Sequence, residues 1–210
     1  MKRNTIFVVA VLFFVIIFIG LTSSSGKSII SPPETGTLPS ITSVPSGLSD
    51  SPAPWPPETD HLRDRLSAIG LPALPQEGTA LHIHQHLDIS VTNRQITIPE
   101  GIGINDKDGF ISPLHTHDAA GIIHVESPSV QKFYLGQFFD IWGVRFTDTC
   151  LGSYCTDSSN ILKVFSNGSE VSSNYRSLEL TSRQEIFIYY GSAASLPKII
   201  PSSYSFADGL

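Results

Sequence analysis

Methionine occurs once, as residue 1. That scarcity excludes a methionine-rich copper(I) carrier, because soft thioether ligands are what select copper(I). Cysteine occurs twice, at Cys150 and Cys155, and none stands directly after the apolar start of the chain, so a lipoprotein anchor is excluded. Charge is sparse: 15% of the 210 residues are Asp, Glu, Lys or Arg, and the net charge is -6. No basic patch is present, which removes the footprint a nucleic-acid partner requires. The sequence has no phosphate-binding glycine loop, no dinucleotide fingerprint and no GxSxG nucleophile motif.

The first residues, Lys2 and Arg3, precede an apolar run from Ile6 to Leu21. This is the short edge for a membrane-spanning helix and the long edge for a signal peptide. Residues 1–22 are therefore expected to be a signal anchor, or else a cleaved signal peptide. Either way the remainder lies outside the cytoplasm, with the membrane as partner through the N-terminal helix. Residues 23–57 are rich in Ser, Pro, Thr and Gly and cannot bury enough apolar surface to fold, so they read as a disordered stalk. Trp55 is the exception, expected to dock on the domain edge. The domain itself is expected over 58–191, followed by a poorly ordered tail over 192–210.

Six of the seven histidines fall between Leu81 and Glu126. In Leu81–Val91, Leu81, Ile83, Leu87, Ile89 and Val91 are apolar, while His82, His84, His86 and Asp88 alternate with them. Period-two alternation predicts a half-buried strand, which places the three imidazoles and the carboxylate on one face. Ile122, His124 and Glu126 share a face in the same way, preceded by His115, His117 and Asp118. Two such strands can close a metal site between them, since neutral imidazole is the commonest protein ligand for zinc, copper and nickel. The expected ligands are His84, His86, His117 and His124. His82, His115, Asp88, Asp118 and Glu126 are expected to orient them or to form a second site. Copper(II) or zinc is the expected metal, with affinity falling as the pH drops through about 6.5, the ordinary histidine value. Three readings remain open: a metal-handling or sensing module, a metal-dependent hydrolytic or oxidative enzyme with Glu126 or Asp118 as base, and a hydrogen-bonded histidine network without metal. His61 lies apart from the cluster and is not expected to ligate.

Elsewhere, Leu62, Leu66 and Ile69 predict a short helix over 58–69. Leu135, Phe138, Phe139 and Trp142 form a helical stripe closed by Gly143, read as core. Strands are expected at 95–98, 161–165, 177–180 and 185–190, with Asn167-Gly168 as a tight hairpin turn. Thr92-Asn93-Arg94 reads as a turn. In an exported chain Cys150 and Cys155 read first as a disulfide, with a thiolate ligand pair as the rival. The fold class is α+β, a mainly antiparallel or mixed sheet with one or two short helices.

Two resemblances add to this. HIHQHLDISV at 82–91, PLHTHDAAGIIHVESP at 113–128 and LGQFFDIWGV at 135–144 resemble phrases of a largely uncharacterised group of membrane-anchored bacterial and archaeal proteins. That likeness covers about 82–144 and implies an anchor but no activity. The helix followed by VFSNGSEV and RSLELTSRQEIFIYYG resembles the second half of a β-grasp domain, which implies a mixed sheet crossed by one helix.

Overall fold

The computed structural model describes residues 46–210. The apolar run at 6–21, and with it the expected anchor, lies outside the described residues, as does the stalk up to residue 45. Among the described residues no helix is long and apolar enough to cross a membrane.

In chain order the elements are α1 (Leu62–Ala68), β1 (Leu81–Val91), β2 (Arg94–Ile96), β3 (Ile104–Asn105), β4 (Phe110–Ile111), β5 (Leu114–His115), β6 (Ile122–Ser127), α2 (Leu135–Trp142), β7 (Cys150–Leu151), β8 (Tyr154–Cys155), β9 (Ile161–Ser166), β10 (Ser169–Glu170) and β11 (Gln184–Gly191). Among the described residues the class is α+β, mostly sheet with two short α-helices. The main sheet has seven strands in the order β10-β9-β11-β1-β6-β5, with β2 also paired to β1. The alternating stretch forms β1, the longest strand, at the centre. Its first half pairs antiparallel with β6 and its second half pairs parallel with β11, while β2 covers its other edge beyond Ile89. The sheet is thus mixed.

One face of β1 carries Leu87, Ile89 and Val91. With Ile123, Val125, Val164, Ile186 and Ile188 from neighbouring strands it packs against Leu62 and Leu66 of α1 and Phe138, Phe139 and Trp142 of α2. The stripe on α2 is core as the spacing requires. Gln137 Oε1 accepts from Tyr134 N at the start of α2, and Gly143 ends it in the left-handed region at φ 81°. Arg65 is fully buried on α1. It pairs with Glu58 and donates to Ile141 O, tying α1 to the end of α2.

Four expectations are corrected. The stalk does not reach residue 57: Ser49 N donates to Gly143 O, Arg145 N donates to Ser49 O, and Trp55 is buried edge-on against Trp142. An isolated tryptophan is enough to bring a Pro-rich segment onto the core. Arg94 belongs to β2, because Thr92 and Asn93 alone make the turn, both at positive φ, the geometry of a two-residue hairpin that matches strand twist. Residues 177–180 do not add a strand to the main sheet. Tyr175–Ser177 is a 3-10 turn, and only Glu179 bridges, to Tyr134. Finally, the tail is not loose. Leu196 and Ile200 pack on Phe165, Phe187 and Tyr189, covering one end of the sheet face opposite the helices. Cys150 and Cys155 form a disulfide across the β7–β8 hairpin.

Candidate metal centre

The other end of that opposite face is filled by histidine. Residues paired across an antiparallel ladder share a face, and the register pairs His82 with Glu126, His84 with His124, and His115 with His124. Three adjacent strands therefore deliver their donors together: His82 and His84 from β1, His124 and Glu126 from β6, His115 from β5 and His117 just beyond it. His82 Nε2 and His84 Nε2 are 3.1 Å apart, and so are His115 Nε2 and His117 Nε2. The His124 ring lies 4.6 Å from both His84 and His117 and stacks 5.4 Å from His115. Glu126 Oε1 lies 3.2 Å from His82 Nε2 and 3.1 Å from His124 Nδ1.

The site has a buried floor and an open rim. His84, His115 and Glu126 are buried, whereas the His82 and His117 side chains are 54% and 42% exposed. His115 Nδ1 lies 3.0 Å from Ser112 O. A carbonyl oxygen can only accept, so Nδ1 carries the proton and Nε2 presents its lone pair toward His117. That is the arrangement that prepares a histidine to ligate.

Burial, reinforced by neighbouring imidazoles, favours the neutral form of the buried rings His84, His115 and His124. Desolvation and then His117 push His115 down to about 4, and desolvation and then His115 push His124 down to about 3. His84 is lowered by burial and by His82. Glu126 is raised to about 7 by burial and by the neighbouring Glu77 carboxylate. A stability profile follows. Below 6.5 the unfolded chain takes up protons that folded His115 and His124 refuse, so the metal-free protein loses stability as the pH falls toward 4. Glu126 acts oppositely, because its folded form holds a proton the unfolded form releases between 4.5 and 7. Two histidines outweigh one carboxyl, and below 4.5 only the histidines act. Metal-free stability should therefore peak near pH 6.5. It should fall by about 1.4 kcal/mol per net proton per pH unit on acidification, more steeply below 4.5. Urea denaturation between pH 4 and 8 checks this, and a His124→Ala protein should show a shallower acid slope.

The geometry redistributes the expected ligands. His84, His117 and His124 converge, and His82, His115 and Glu126, expected in supporting roles, join them in the same cluster. His86 does not. It pairs with Ile122 on β6, where no donor is available, and on its other side Glu185 Oε2 lies 2.8 Å from its Nδ1. Tyr204 of the tail stacks on its ring at 3.8 Å. His86, Asp88 and Glu185 form a separate small group within metal-binding reach of one another. Asp118 caps its own turn, accepting from Ala120 N, and lies outside both groups. His61 pairs with Glu58, away from the cluster.

Two contributors had no local signal. Glu185 reaches His86 only through the parallel register of β1 and β11. Glu77 Oε1 lies 3.2 Å from His117 Nε2. It is held over the site because Gly78 packs directly on the backbone of Ser127 and Pro128, where a Cβ would collide at 2.1 Å. Compared with known proteins, the chain matches no family model, no curated protein and no solved structure.

Proposed function

We propose that the domain is a metal-binding module that handles or senses a divalent transition ion, copper(II) or zinc, on the outer side of a membrane. One observation carries the reading: five imidazoles and one carboxylate face one another across three strands, in groups whose donor atoms all fall within 4.8 Å. Imidazole-rich sites suit copper, zinc and nickel. In both close pairs Nε2 faces Nε2 at 3.1 Å, a spacing that one N–H···N hydrogen bond or one shared metal ion satisfies, and added metal separates the two. The disulfide supports an oxidising compartment, and in this reading the apolar run at 6–21 supplies the anchor. The likenesses to a membrane-anchored group and to β-grasp domains fit the same picture.

The enzyme reading has one observation in its favour. Glu126, with its carboxyl raised to about 7, is placed as a general base beside the donors.

The test is thermal unfolding of the full-length metal-free chain with added copper(II), zinc or nickel. Ligand at about 100 times Kd adds about 2.7 kcal/mol, which corresponds to a rise of about 5–10 °C for a domain of this size. Because burial holds His115 down to about 4 and His124 down to about 3, and lowers His84 as well, the rise should persist at pH 5.5 rather than vanish there. No rise with any of the three metals at neutral pH would remove the reading.

A further inference from the structure

The cluster has more donors than one tetrahedral ion accepts, and they fall into two sets. His82, His84, His124 and Glu126 form one, and His115, His117, His124 and Glu126 form the other. We propose that the cluster is a two-metal centre in which Glu126, on the middle strand, bridges two ions held side by side by the flanking histidine pairs. The proposal rests on the metal reading above and goes beyond it in nuclearity.

The strand arrangement makes the centre nearly symmetric. β6 lies between β1 and β5, and each outer strand brings one His-x-His pair whose two Nε2 atoms stand 3.1 Å apart. Two nitrogens bound to one tetrahedral ion at about 2.0–2.1 Å stand about 3.3 Å apart, so each pair is already close to the spacing of two ligands on a single ion. Between the pairs stand the two shared groups. A carboxylate offers one oxygen to each side and suits ions about 3.5–4 Å apart. Glu126 is buried, with Oε1 against His82 Nε2 and His124 Nδ1. Glu77, beside His117 Nε2, offers the second ion a further oxygen from the rim. The half-exposed His82 and His117 side chains put both ends of the centre at a rim that solvent reaches.

The experiment loads the full-length, metal-free chain with copper(II). It measures copper per chain by elemental analysis after desalting, and the electron paramagnetic resonance intensity at each loading. The expected result is two ions per chain, with signal intensity rising over the first equivalent and falling well below that of two isolated ions over the second. Glu126→Gln should remove that coupling, and His82→Ala should leave one ion with a full signal. His86→Ala should leave both ions coupled, which separates the centre from the His86–Asp88–Glu185 group. Saturation of the unaltered chain at one ion would overturn the two-metal proposal and leave the metal reading standing. So would two ions with full, uncoupled signals, or coupling that survives Glu126→Gln. Absence of any bound copper, zinc or nickel would overturn both.

Discussion

Replacing Trp142 with Ala should lower the unfolding free energy by about 3–5 kcal/mol, the range for removing a large buried aromatic side chain. A domain of ordinary stability has about 5–15 kcal/mol in total, so this one change should bring the protein near its folding threshold. Trp142 is completely buried. It stacks on Phe139 with centroids 5.7 Å apart, meets Trp55 edge-on at 5.8 Å, and donates from Nε1 to Trp55 O at 3.1 Å. It therefore joins the segment around Trp55 to α2, and its loss should also free residues 49–57 to exchange amide hydrogens. Trp142→Phe should cost less, since it keeps most of the buried ring but leaves Trp55 O without its donor. Urea denaturation of the three proteins checks the order. A loss below about 1 kcal/mol for the Ala protein would mean that the N-terminal segment and α2 do not share one core. Metal binding by the remaining folded molecules should be unaffected, because Trp142 lies on the helix side of the sheet and the histidines on the other.

The elements that were legible in the sequence are those whose side chains obey a local period. Alternation over Leu81–Val91 identifies β1 and puts His82, His84 and His86 on one face. The stripe from Leu135 to Trp142 identifies α2, and Asn167-Gly168 turns β9 into β10. What the period cannot tell is which histidines meet. That depends on register, a long-range property, and a slip of one residue would turn every side chain to the other face. His84 finds His124 because β6 lies opposite the first half of β1, whereas His86, one step further along the same face, finds Ile122. His86 thus looks identical to its neighbours in sequence and stands apart in space. Its partners come from far along the chain: Glu185 through β11, and Tyr204 through a tail whose Ser and Pro content suggests no fold. The tail is held by a few well-spaced apolar residues, Leu196 and Ile200, that land on Phe165 and Phe187. The same holds at the other end for Trp55. In both places average composition misleads, because a handful of apolar contacts onto an existing sheet or helix pair is enough to order a segment that could not fold alone.

The most direct measurement of the central claim is the affinity of the full-length chain for zinc and copper(II), determined by competition with a chelator at neutral pH. The unaltered protein is compared with one carrying His84→Ala and His124→Ala together. His124 belongs to both donor sets and His84 to one, so the pair strikes the centre where it is most shared. Complete four-ligand zinc sites are worth about 10–16 kcal/mol, or roughly 2.5–4 kcal/mol per ligand. Losing two from the first set should weaken binding there by about four to six powers of ten, and losing His124 from the second by about two to three, at about 1.4 kcal/mol per tenfold. The metal-free fold should survive, since both side chains lie opposite the apolar core. With a poorly ionising buried imidazole removed, the double variant should also resist acid better than the unaltered protein. Tight binding by the unaltered chain, lost in the variant while its metal-free unfolding temperature is kept, is the result expected. No measurable binding by the unaltered chain, or equal affinity in the two proteins, would contradict the assignment of the histidine cluster as a metal centre.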